Sequence, residues 1–167
     1  MPSLYDASVP VLIRGLNNLS AILDKAEAHA AAGGPSTDVL AEMRLAPDML
    51  PLARQIHLAS DSAKGCGARL AGVPVPSYPD TEKTFAELKQ RIARTVDFLE
   101  GLDAAQVDGA EDRTVTLKLG GKDVAFTARD YLFGFVVPNF FFHVTTAYAI
   151  LRHAGVPLGK RDYLGLA

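Results

Sequence analysis

The sequence has one cysteine, no tryptophan and almost no net charge. With Cys66 alone an intrachain disulfide is impossible, and nothing in the cysteine usage calls for an oxidising compartment. A formal net charge of -2, from 17 basic and 19 acidic residues, lacks the clustered Lys and Arg on which phosphate-backbone binding depends, so no nucleic-acid partner is expected. Met1 to Asp6 carries no basic stretch followed by an apolar run, so the signature of a secretory leader is missing and the expectation is a cytoplasmic protein. An uninterrupted apolar run of membrane-spanning length is missing too. The densest candidate, Tyr131 to Ile150, contains Pro138, Asn139, His143 and two threonines; it reads as a buried core helix, with no membrane as partner.

What is present suits one domain spanning residues 1–167. The chain is 49% hydrophobic and 22% charged, the composition of an ordinary globular protein large enough to bury its own core. From Leu4 to Ala32, Val9, Leu12, Leu16, Leu19 and Leu23 paint one apolar stripe on a helix that stops at Gly33-Gly34-Pro35. A short helical turn is expected over Asp38 to Leu45. A second long helix runs from Pro47 or Met49 to Ala71, its inner side marked by Leu52, Ile56, Ala59, Ala63, Cys66 and Leu70. Gly72 to Pro79 is an extended connection. The third helix covers Thr81 to Leu102; Thr84 and Glu87 have capping-box spacing, and Lys89, Arg91 and Arg94 turn outward. Asp103 to Asp112 breaks the helical pattern.

Between Thr114 and Thr127 the period changes to two. Val115, Leu117 and Leu119 alternate with polar residues, Gly120-Gly121 supplies a turn, and Val124 and Phe126 resume the apolar side. This is a β-hairpin, whose apolar face must lie on other structure to be stable. Thr127 then caps a last helix reaching Ala154, bent or broken at Pro138. Its phenylalanines surround it almost completely, so it is expected to be covered on most sides, centrally or by a second copy in a homodimer. The fold class is all-α: an up-and-down four-helix bundle with a small hairpin before its final helix.

No phosphate-cradling glycine loop, paired CxxC or HExxH is present. On the last helix Asn139, His143, Thr146, Ile150 and His153 step by four and three along one inward stripe. Polar groups there must be hydrogen-bonded or bind something. Two readings stand: a core histidine satisfied by Asn139 and Thr146, or a ligand site to which Tyr148 would add. His57 and Asp61 are neighbours on the second helix, with Asp61 also spaced to pair with Lys64. At ~100° per residue, both sit opposite the Leu52, Ile56, Ala59 side, on a solvated or hairpin-covered face. Cys66 reads as a small buried residue or, with a lowered pKa, a reactive thiol. His29 and His153 read as helix-end histidines favourable to the dipole.

The run Phe142-His143-Val144-Thr145-Thr146-Ala147-Tyr148 through Ala154-Gly155-Val156, with Gly159-Lys160-Arg161-Asp162-Tyr163, resembles the last helix of the DinB/YfiT-like superfamily. Leu4-Tyr5-Asp6-Ala7-Ser8-Val9-Pro10 and Leu52 to Asp61 extend the likeness along the chain, toward a bacterial branch of unknown function. The resemblance implies a four-helix bundle and a divalent-metal site of three histidines, such as Zn, Ni or Fe, in metal-dependent or thiol-dependent enzymes acting on small molecules. His57 would be the second-helix ligand and His143 the first of a His-x-x-x-His pair. The second of that pair is Ala147, which coordinates nothing. Asp61 could complete a two-histidine, one-carboxylate set, or the site is vestigial in a non-catalytic, partner-binding or homodimeric module.

Overall fold

Ser3 opens the first helix, its hydroxyl accepting a hydrogen bond from the Asp6 amide at 3.1 Å. The computed structural model describes residues 3–166; Met1, Pro2 and Ala167, the outermost residues of the expected 1–167 domain, lie outside the described residues. Helix α1 (Leu4–Ala31) buries Val9, Leu12, Leu16, Leu19 and Leu23 of the expected stripe completely, while Ile13 at its edge is half-buried. The turn helix α2 (Thr37–Glu42) is shorter than expected and ends before Leu45. Helix α3 (Leu52–Ala71) begins only after Pro51 and stops at Gly72, whose left-handed backbone (φ 72°) favours glycine. Helix α4 (Phe85–Glu100) starts later than Thr81 because Thr84 is its cap: the Glu87 amide donates to Thr84 Oγ1, and Thr84 N–H to Glu87 Oε2 at 3.0 Å. The polar stretch expected to be irregular contains a short helix, α5 (Ala104–Asp108). From it Asp108 accepts a hydrogen bond from the Tyr5 amide at 2.8 Å, closing the start of α1.

Strands β1 (Thr114–Leu119) and β2 (Lys122–Thr127) form the expected antiparallel hairpin, registered from Thr114 opposite Thr127 to Leu119 opposite Lys122. Gly120 and Gly121 both have positive φ (57° and 80°), the requirement of a tight two-residue hairpin turn. Val115 and Leu117 are buried, and Phe126 lies 6.2 Å from the Phe135 ring, so the apolar face rests on the bundle. Arg113, just before β1, donates to the carbonyls of Arg69 and Leu70 and ties the hairpin to the end of α3.

The last helix is continuous from Ala128 to His153 but changes pitch. A first turn, α6 (Ala128–Asp130), is capped by Thr127, a π-helical segment covers Tyr131–Val136, and α7 (Val137–His153) completes it. The bend expected at Pro138 is thus a widened turn immediately before it. Proline has no N–H to return to the carbonyl four residues back, and the wider turn absorbs the mismatch.

Helices α1 and α3 each pack against both α4 and α7 and also touch one another, giving a four-helix bundle. A further short helix, α8 (Lys160–Leu164), folds back on α1, where Arg14 and Asn18 donate to the carbonyls of Leu164 and Tyr163. The last helix departs from expectation in one respect. By length and composition it could cross a membrane, yet it forms one flank of the bundle rather than its centre, and within the single chain Phe133 and Phe142 stand 48% and 54% exposed. Its phenylalanines divide between the core, where Phe140 sits, and the surface.

Candidate functional site

Successive residues of α3 turn toward different neighbours, and this decides which polar groups can meet. Two positions along a helix differ by about 200°, so Gln55 and His57 point to opposite flanks. Gln55 faces α7 and accepts a hydrogen bond from His143 at Nδ1···Oε1 2.8 Å, while its own amide donates to the Leu50 carbonyl. His57 faces the segment that joins α3 to α4. Arg54 Nη1 donates to His57 Nδ1 at 3.2 Å, which places the imidazole proton on Nε2, 3.3 Å from Glu82 Oε2. That contact lacks hydrogen-bond alignment, and Nε2 is buried without a partner.

His57 is therefore not on a solvated or hairpin-covered face. It is 2% exposed, covered by the extended connection rather than by the hairpin. The same connection explains Arg91, which is not turned outward but fully enclosed. Its guanidinium reaches Asp61 (2.7 Å), Asp80 (3.0 Å), Glu82 (3.0 Å), the Pro79 carbonyl and Ser60. Tyr78 lies over Arg94, with centroid distance 4.3 Å, and donates to the Arg94 carbonyl. Asp61 forms the expected pair with Lys64 at 2.8 Å. Desolvation, then the nearby Arg91 charge, holds the His57 pKa below its usual 6.5; burial alone lowers that of His143.

The expected pocket residues do not gather in one cavity. His143 is buried against Gln55, not against Asn139 and Thr146. Thr146 returns its hydroxyl to the Phe142 carbonyl, and Tyr148 packs edge-on to Tyr163 at 5.8 Å. Asn139 leaves the stripe to donate to Ser62 of α3 at 3.3 Å, while His153 is exposed.

Asn139 and Asp61 instead share a groove of about 410 Å³ between α3, β1 and the π-helical segment, walled by Leu58, Leu117 and Phe135. Tyr131, Phe135 and Asn139 follow one another at intervals of four. The widened turn keeps Tyr131 and Phe135 stacked, with interplanar angle 16°. At the far end Arg69 Nη1 donates to Tyr131 Oη at 3.1 Å. A side chain at Gly65 would collide with that guanidinium, so glycine one turn earlier leaves it room. Burial pushes the Tyr131 pKa up to about 12, so its hydroxyl keeps its proton as a donor. The Cys66 thiol, beside this region in the core, is likewise pushed up to about 12 by burial; it is a packed small residue and no ready nucleophile.

The family model described as Domain of unknown function (DUF1993) matches residues 4–164. The chain belongs to the DUF1993 family. A crystal structure of a DinB family member protein from Shewanella denitrificans superposes with a TM-score of 0.87 at 44% identity, covering 97% of this chain and 92% of that one. No curated protein matches. This DUF1993 chain is thus a DinB-like bundle, as the resemblance implied. The three-ligand set that came with the resemblance does not assemble. His57 and His143 lie on opposite flanks of α3, Asp61 is taken by Arg91 and Lys64, and Ala147 is packed in the core. Among the described residues no three His, Cys, Asp or Glu side chains form a metal-holding group. The residues present do not fit a bound divalent ion, which needs donors converging at about 2 Å.

Residues that sequence reasoning passed over carry much of this region. Gln55, Leu58, Ser62 and Arg69 follow one another at intervals of three, four and seven residues, a second stripe on α3 beside the apolar one, and that spacing was the available signal.

Proposed function

We propose that this DUF1993 protein is a small-molecule-binding DinB-like bundle whose ligand occupies the groove between α3, β1 and the π-helical segment. The observation that carries this reading is the combination of an apolar-walled cavity with polar groups converging from two elements: Ser62 and Arg69 from α3, Tyr131 and Asn139 from the last helix. A π-helical turn beside it supports the reading, since such turns recur at functional sites. Enzymatic turnover would need a reacting group from these same side chains or from a bound thiol, and no step of the proposal runs through a metal. The lone buried Cys66 supports a cytoplasmic setting. The test is an amide-resolved NMR screen with a mixture of small organic acids, amines and neutral aromatics. Saturable shifts confined to residues 58–69, 116–119 and 131–139 support the groove; shifts elsewhere, or none, defeat it.

A second reading is a non-catalytic homodimer. It is favoured by Phe142 standing exposed beside Leu45 and Met49 around an apolar hollow of about 430 Å³. Analytical ultracentrifugation separates the two. A tight dimer broken by Phe142→Glu, with no groove binding, selects the second.

A further inference from the structure

We propose that the groove selects an anionic small molecule, a carboxylate carried on a compact apolar body, with Arg69 as its charge partner. This rests on the groove reading above and adds the ligand's charge to it.

The other cations near α3 are spoken for: Arg54 pairs with Asp80, Lys64 with Asp61, Arg91 with Asp61, Asp80 and Glu82, and Arg113 donates to the backbone carbonyls of Arg69 and Leu70. Arg69 differs. Among the described residues it has no carboxylate within ion-pair distance; its one side-chain hydrogen bond goes to a neutral phenol. Half-buried in a cavity wall, it carries a charge that loses hydration without a protein counter-charge. One N–H is used on Tyr131, and the rest of the planar fork stays available for a carboxylate.

The groove's other charges agree with this assignment. Asp61 is its lining carboxylate, and Oδ1 of that residue already holds both Arg91 and Lys64. Lys118 stands at the rim on β1; Asp123 faces it across the hairpin register without forming an ion pair. Between these ends Leu58, Leu117 and Phe135 form an apolar wall, while Ser62, Asn139 and the protonated Tyr131 hydroxyl provide neutral hydrogen-bonding groups. An amine would meet Arg69 as a like charge, and a neutral ligand would leave it unpaired. A small organic acid satisfies the cation and the wall together.

The experiment uses benzoate, benzamide and benzylammonium as probes of nearly equal shape, titrated into the full chain while amide shifts are followed. Benzoate is expected to shift residues 58–69 and 116–119 saturably, with benzamide about tenfold weaker or more, as loss of a charge-assisted pair implies. Arg69→Gln should abolish the preference for benzoate, and Arg69→Lys should keep part of it. Should Arg69→Gln fail to fold, Asn139→Asp supplies the second arm: an added carboxylate in the groove should repel benzoate and spare benzamide. If benzamide or benzylammonium binds the groove as well as benzoate, the anion assignment falls while the groove reading stands. If no probe shifts these residues, both fall.

Discussion

Arg91 Nη2 lies 2.7 Å from Asp61 Oδ1, and the arginine side chain has no exposure to solvent. This contact joins α4 to α3, and the same guanidinium also gathers Asp80, Glu82 and the Pro79 carbonyl from the connecting segment. A buried arginine held this way fixes the path of an otherwise irregular chain. Replacing it by Met strips Glu82 of its cation while Asp61 and Asp80 keep Lys64, Arg54 and part of their hydration, so Arg91→Met is expected to lower stability by about 2–3 kcal/mol. Arg91→Lys should recover little, since an ammonium cannot fork to several acceptors. Urea unfolding measures the loss, and limited proteolysis should find residues 73–84 newly susceptible. A loss below about 1 kcal/mol would mean the cluster is only loosely formed.

His57 and His143 both resist protonation in the folded state, because burial disfavours the charged ring. Their folded pKa values lie below 6.5, so as pH falls through 6.5 the unfolded chain takes up protons that the folded chain refuses. Stability must then decline with falling pH from about 6.5 until the lowered folded values are passed. A second decline follows near and below 3.8, the unfolded value of Asp80 and Asp162, whose pKa values are lowered first by hydrogen bonds from Arg54 and Lys25. Urea midpoints at several pH values should show both steps. His57→Gln and His143→Gln should each make the upper step shallower; a flat profile between pH 7 and 5 would contradict the assignment.

The parts of this fold that sequence reading captures are those decided locally. The Thr84–Glu87 capping box and the Gly120-Gly121 turn each depend on residues only a few positions apart, and both form as expected. His57 and Arg91 were misplaced for the opposite reason. The helical phase of His57 does point away from the apolar side, and Arg91, three residues after Leu88 and four before Thr95, sits at the edge of its own; the segment carrying Tyr78, Asp80 and Glu82 lies over both, and an irregular segment has no period to betray its route. The candidate site was half legible in the same sense. The Asn139–His143–Thr146 stripe was visible on the last helix; the partners that separate its members, Gln55 and Ser62, belong to a helix distant in sequence.

Gly15 and Gly134 should respond oppositely to the same substitution. A Cβ on Gly15 would come 2.8 Å from Phe140 Cζ, and that ring is fully buried with nowhere to swing. Overpacking should outweigh the gain in helix propensity, so Gly15→Ala is expected to cost about 1–2 kcal/mol. Gly134 is exposed and a Cβ there meets nothing within 4 Å. Gly134→Ala should therefore stabilise by about 0.5–1 kcal/mol through the restricted unfolded chain. Thermal unfolding of the two variants side by side checks the pair, and a stabilising Gly15→Ala would show that α1 and α7 approach less closely than described.

Cys66 offers a check on the core that needs no mutation. Its thiol is buried, and burial raises its pKa to about 12, with only the charge of Arg69 opposing the shift. Alkylation requires a thiolate and access. In native buffer iodoacetamide should therefore react only when the bundle opens, at a rate that rises steeply with sub-denaturing urea in proportion to the open population. Rapid labelling without urea, comparable to that of a free thiol, would place Cys66 at the surface and would take the packing of α3 against α4, where Gly67 meets Leu99 and Leu102, with it.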